Sequence, residues 1–157
     1  MSESEGNEEV WSAFRKHVPE VAAGVVELVS VAREPGSRLL VAVRSHDTQT
    51  HPVSACVGKD GARIKSITAE LGGEKIAVLQ WSDSVKELIM HTMLPGRMGR
   101  SRTPAVTLNA TTRQARVQVE PETLERMTTN DGLLLRLASR LVGWDIKLSP
   151  YDNSSAN

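Results

Sequence analysis

The sequence predicts an α+β chain made of two copies of one unit, each running helix, two strands, two helices, strand. Three observations carry this. The segment "VVELVSVAREPGSRLLVAVRS" is two β-rich runs around "EPG", a hairpin signal. "ARIKSITAEL" and "GLLLRLASRLV" space their apolar residues as helices do, and each opens at a glycine. The halves also align, Gly73 with Gly143 and Ile76 with Ile146 at a spacing of 70 residues, and the loop glycines Gly61 and Gly132 at 71.

The elements follow in order. Val10, Trp11, Phe14 and Val18 form one helical face that Pro19 interrupts. Strands are expected from Val25 to Ala32 and from Arg38 to Arg44, with Leu39, Val41 and Val43 on one face of the second. "SHDTQTH" is a polar loop, and Pro52 suits the first turn of a short helix, "PVSACV". Beyond Gly58 to Gly61, the next helix puts Ala62, Ile64, Ile67 and Leu71 on one face and Arg63, Lys65, Ser66 and Glu70 away from it, and "GG" ends it. "EKIAVLQW" reads as a strand, and Ser82 or Asp83 as the cap of "SVKELIMHTML". "PAVTLN" and "ARVQVE" are paired strands, "PETLERM" and "GLLLRLASRLV" helices, and "WDIKLS" a last strand. The units are therefore expected at residues 8–81 and 82–149, with a disordered acidic lead at 1–7 and a disordered tail at 150–157.

Composition narrows the function. The 157 residues hold 19 basic and 19 acidic side chains, a net charge of zero, and no run of eighteen apolar residues. The start carries Glu3, Glu5, Glu8 and Glu9 where a signal peptide would be basic, so a soluble cytoplasmic protein without membrane contact is expected. Distribution matters more than the sum. The stretch "PGRMGRSRTPAVTLNATTRQARVQV" carries Arg97, Arg100, Arg102, Arg113 and Arg116 and no acid, which gives a locally positive field or simply a solvated loop. Aromatic residues make up 3%, too few for a binder that stacks bases on a strand surface. Cys56, the single cysteine, reads as packing. His46, Asp47 and His51 lie close together at no recognised metal-ligand spacing and read as loop residues. No catalytic residue, metal site or cofactor is read, and an enzyme is not expected.

The stretch "CVGKDGARIKSI" is the one candidate site. A dinucleotide fingerprint would need three glycines after a strand, and a P-loop would need Lys then Ser or Thr after its last glycine; neither fits. What remains is helix, Gly-x-x-Gly, helix, the arrangement with which KH domains clamp a single-stranded nucleic-acid backbone. Gly58 and Gly61 would let a sugar-phosphate chain approach, and the following helix would offer N-H groups and partial positive charge. Lys59 supplies a cation that Arg63 and Lys65 extend, while Val57 and Ile64 would floor the groove. Asp60 opposes a phosphate, and a plain inter-helix turn is the competing account.

The wider context resembles a known family. The stretch from Val18 to Ser82 resembles the first KH domain of bacterial NusA transcription factors, with "AREPGSR", "AVRS", "ACVG" and "ELGGEKI" in order, and "ARVQVE" with "LRLASRLVGWDIKL" resembles the second. The resemblance implies two type II KH units, each a three-stranded sheet covered by helices on one face, holding single-stranded RNA of nascent transcripts at RNA polymerase in transcription termination and antitermination. It implies Gly58, Lys59, Asp60 and Gly61 as the contacting loop, backed by Arg63 and Lys65. The second loop departs from the pattern: Thr129, Asn130, Asp131 and Gly132 lack one glycine and the basic pair. The second unit is therefore expected to be chiefly structural, with any RNA contact through Arg113, Arg116 or Arg136. The polymerase-binding domain and oligonucleotide-binding barrel of the bacterial proteins have no counterpart ahead of Val18, so a short stand-alone protein is expected. The alternative is a protein-interaction module on a retained KH scaffold, binding RNA polymerase or a ribosomal component with little RNA affinity.

Overall fold

The computed structural model describes residues 2–93 and 104–151, the side chains from residue 8 onward. Arg97, Arg100 and Arg102 of the expected basic stretch, and the tail beyond residue 151, lie outside the described residues. The chain divides into two compact units, Met1–Trp81 and Ser82–Asn157.

The first unit begins with α1 (Ser2–His17), so the lead expected to be disordered is helical from its second residue. Val10, Ala13, Phe14 and Val18 are buried, the stripe that the 3.6-residue period demands. Pro19 forces Val18 out of the helical region, to φ −123° and ψ 100°, and restarts the chain as α2 (Pro19–Ala22). The hairpin of β1 (Val26–Glu34) and β2 (Arg38–Ser45) follows, then α3 (Pro52–Val57), a 3-10 turn (Lys59–Gly61), α4 (Ala62–Glu70) and β3 (Lys75–Gln80). The sheet order is β1-β2-β3, with β1 antiparallel and β3 parallel to the central β2, and Leu39 lies opposite Ile76. Leu39, Val41 and Val43 join Phe14, Cys56, Ile67 and Leu71 in the core as their alternation predicts. Leu40 and Ala42 are buried too, so the central strand is apolar on both faces.

Glu74 is the one charged side chain among the buried described residues, 1% exposed. Both its oxygens accept from Arg33 Nε, at 3.1 and 3.0 Å, Arg33 Nη2 donates at 2.6 Å, and the Gly36 N-H adds a bond at 3.2 Å. Arg33 also reaches Glu9 of α1 at 2.7 Å, so one ion-pair cluster ties the hairpin turn, the entry to β3 and the first helix together.

The second unit repeats the order with α5 (Val85–Met93), β4 (Ala105–Asn109), β5 (Gln114–Val119), α6 (Pro121–Val142) and β6 (Asp145–Pro150). Its cap falls at Ser84, not at Ser82 or Asp83: Ser84 Oγ accepts from the Glu87 N-H, while Ser82 Oγ donates to the Glu87 carboxylate. The sheet order is β4-β5-β6, again antiparallel then parallel, and Ala115 opposite Ile146 repeats the pairing of Leu39 with Ile76. The two helices expected here are the halves of α6, which leaves helical geometry from Thr129 to Gly132. Ala115, Val117 and Val119 are buried along with Leu134, Leu137, Ala138 and Leu141. Both units are thus three-stranded sheets with packed helices, the tandem α+β architecture the sequence predicts.

Candidate nucleic-acid interface

The loop of the first unit is set by its two flanking helices. Pro52 occupies the first turn of α3, where the His51 ring nitrogen accepts from the Ser54 N-H at 3.4 Å. The helix ends at Gly58, φ 78° and ψ 171°, whose N-H closes on the Ser54 carbonyl at 2.9 Å. Two left-handed residues follow, Asp60 at φ 56° and Gly61 at φ 74°, and α4 then starts without a side-chain cap. Asp tolerates this region better than most residues. The two glycines serve different purposes. A Cβ on Gly58 would lie 2.7 Å from Arg63 Cγ and 3.0 Å from Arg63 N, whereas one on Gly61 would meet nothing nearer than 3.8 Å. A side chain at Gly58 would collide with Arg63, whereas one at Gly61 would only touch Ile64 and Lys65 at ordinary contact distance.

The expected contact residues divide in the same way. Lys59, Asp60 and Lys65 are exposed. Arg63, expected to extend the cation of Lys59, makes contacts within the fold: its Nη1 donates to Glu20 of α2 at 2.8 Å and to the Ala55 carbonyl of α3 at 2.7 Å. Glu20 of α2 pairs its charge in a half-buried ion pair, a relation across 43 residues that no local pattern encodes. Val57 and Ile64 are half-buried, and Ile64 packs against the core cluster. Ala62, placed on the buried face by spacing, is exposed.

The neighbouring polar residues each have structural work. His46 meets Glu27 at 2.9 Å. Asp47 accepts from the Gln49 N-H at 3.0 Å and from Thr50 Oγ1 at 3.1 Å, an Asx turn. Cys56 is fully buried, and burial, with Glu20 adding to it, pushes its thiol up to about 12, out of the reactive range.

In the second unit the positions 71 residues on run Thr129, Asn130, Asp131, Gly132. Thr129 takes φ −61°, while Asn130, Asp131 and Gly132 are left-handed at 56°, 59° and 73°. Of the cations named for this unit, Arg136 donates to the Asp131 carbonyl, and Arg113 donates to the Gly143 carbonyl at 3.0 and 3.3 Å with its guanidinium 5.3 Å from the Trp144 ring centre. Both therefore brace loops. Arg116 is exposed on β5 and lies opposite Lys147 of β6. Sequence reasoning did not single out Lys147 or Arg140. With Arg136 they line a groove between α6 and β6 that also takes in Leu135, Ile146, Leu148 and the acid Asp145, which pairs with Lys147 at 3.5 Å; the four-residue spacing of Arg136 and Arg140 was the available signal.

Comparison with known proteins places this arrangement. The family described as NusA-like first KH domain matches residues 5–81. The transcription termination/antitermination protein NusA of Thermus thermophilus is 39% identical over 133 residues, which cover 85% of this chain and 33% of that protein. The protein of the same name from Rickettsia prowazekii is 32% identical over 149 residues, covering 95% of this chain and 29% of the relative. The chain spans about a third of the length of these curated relatives. The crystal structure of APE1850 is similar in fold, with a TM-score of 0.58 at 18% identity over 89% of this chain and 95% of that one.

Proposed function

The chain is a NusA-like KH protein, its residues 5–81 belonging to the NusA-like first KH domain family, and on that premise we propose that it binds single-stranded RNA on the loop between α3 and α4. The observation that carries this is the loop itself. Gly61 carries no side chain to hinder approach, Lys59 and Lys65 are exposed, and the first turn of α4 has no side chain capping its N-H groups. A phosphate seated there would accept from backbone N-H groups at the positive end of the helix, with the two lysines supplying charge. Val57 and Ile64 would give bases an apolar contact, since no aromatic side chain stands in the loop.

Because the relatives bear the name of transcription termination and antitermination proteins, the proposed ligand is the nascent transcript, and the activity is binding without chemistry on the RNA. The second loop contributes little: Thr129 replaces the first glycine, Asp131 repels phosphate, and Arg136 is turned back onto the loop. The test is Lys59→Asp, which places two acids in the loop. Reversing one charge at about 5 Å from a phosphate costs about 1.5 kcal/mol in water, roughly tenfold in affinity. Fluorescence anisotropy with a labelled 12-nucleotide RNA reads this, and an unchanged dissociation constant refutes the assignment. Recovery of one stoichiometric protein partner from cells, without crosslinked RNA, would favour the interaction-module reading instead.

A further inference from the structure

We propose that Arg63 is a positioning residue for the RNA-binding loop: its charge is paired with Glu20, and its side chain brackets α2, α3 and α4 so that Gly58 to Gly61 are held in one conformation. The inference rests on the RNA-binding reading above. Its basis is a set of contacts that meet at one side chain. The guanidinium donates to Glu20 Oε1 at 2.8 Å and to the Ala55 carbonyl at 2.7 Å, which fixes the last turn of α3 to both α2 and α4. The stem of the same side chain lies against Gly58, where any Cβ would fall 2.9 Å from Arg63 Cβ and 2.7 Å from its Cγ. Gly58 is therefore held to glycine twice over, by its φ of 78° and by the Arg63 stem that occupies the space of a side chain.

The second unit supplies an internal comparison. Seventy-one residues beyond Gly58 and Arg63 stand Thr129 and Leu134, the latter only 8% exposed. Where the arginine is absent the glycine is absent, and the backbone there takes φ −61° instead of +78°. Glycine and arginine behave as one device.

Two roles for Arg63 make opposite predictions when Glu20 is removed. If the arginine contacted phosphate, Glu20→Ala would free its charge, raise RNA affinity and steepen the salt dependence by about 0.7 in the slope of log K against log salt, the increment for one phosphate on a single strand. As a positioning residue it loses an anchor, so Glu20→Ala lowers affinity several-fold with the slope unchanged. Arg63→Met is expected to lower affinity about tenfold at constant slope, while Lys59→Gln lowers the slope itself. Anisotropy titrations of the full chain with a labelled 12-nucleotide RNA from 50 to 300 mM KCl read all three. A gain in affinity in Glu20→Ala, or a shallower slope in Arg63→Met, overturns the proposal. Amide hydrogen exchange gives a readout that needs no RNA. Exchange at Gly58 and Gly61, whose N-H groups close on Ser54 and Gly58 carbonyls, should accelerate in Arg63→Met while β1 to β3 stay protected; unchanged exchange overturns the bracket. If the parent chain retains no RNA at all, the binding proposal falls, and exchange still decides what Arg63 holds.

Discussion

Removing the negative charge of Glu74 is expected to cost the first unit about 3 kcal/mol of stability, near the low end of what breaking a buried pair costs. The carboxylate is 1% exposed and accepts four bonds, three from Arg33 and one from the Gly36 N-H. In Glu74→Gln one acceptor oxygen becomes an NH2 group aimed at a guanidinium that can only donate. A donor then faces a donor, and a buried cation loses its counter-charge. The low end of the range applies because Arg33 keeps Glu9 at 2.7 Å, and that partner is 57% exposed and weakly coupled. For a unit of this size each kcal/mol moves the melting temperature by about 4–8 °C, so a fall of roughly 12 to 24 °C is expected. In a Trp144→Phe background the remaining tryptophans, Trp11 and Trp81, both report on the first unit, so fluorescence-detected melting and urea titration isolate its transition. The paired replacement Arg33→Met with Glu74→Leu removes both charges and should recover stability to within about 2 kcal/mol of the parent, leaving mainly the Gly36 N-H unpaired. A loss below about 1 kcal/mol in Glu74→Gln would mean that the pair is hydrated, and the reasoning would fail.

Two further outcomes follow from charges near the surface. Asp60→Asn keeps a residue that tolerates the left-handed region and removes a charge near the proposed phosphate path; at about 6 Å in water the relief is about 0.7 kcal/mol, so RNA affinity should rise about threefold in the anisotropy titration, and no rise would mean the RNA passes elsewhere. The acid limb of stability should depend on Glu27 and Glu70. Hydrogen bonds from His46 and then Arg44 hold Glu27 below its ordinary value of 4.5, and His17 followed by Lys16 does the same for Glu70. A carboxylate with a lowered folded pKa contributes stability that is present above its unfolded value and lost as pH falls through the folded one. Urea midpoints should therefore drop below pH 4.5, and less steeply in a Glu27→Gln, Glu70→Gln double variant; identical acid limbs would refute the assignment.

What the sequence disclosed was whatever depends on near neighbours. Periodicity placed the buried Val10, Phe14 and Val18, the "EPG" turn placed the hairpin, and the repeat placed Ile76 and Ile146 at matching positions in two parallel pairings. Contacts between distant residues were not legible. Arg63 looks like a loop cation because Glu20, its partner, is 43 residues away. Glu74 sits in "GGEK", a surface-like string, and its burial follows from Arg33 across 41 residues. Burial of Leu40 and Ala42 is equally tertiary, since alternation assigns only one face of β2 to the core.

The paired loops separate what the fold demands from what a ligand would demand. Asp60 and Asp131 sit at φ 56° and 59°, and Gly61 and Gly132 at 74° and 73°, although the second loop has lost its cation and its first glycine. A left-handed pair that persists without a lysine beside it is required by the turn between helices, so its presence in the first unit is no sign of RNA. Gly58 is likewise accounted for by its own φ of 78° and by the Arg63 stem beside it. The features left to a ligand are therefore Lys59 and the uncapped start of α4, a smaller site than the motif implies. Lys59 and Lys65 against Asp60 leave one net positive charge, so in the proposed binding mode backbone N-H donation would supplement the lysines. Binding of that kind would depend on how rigidly the loop is held.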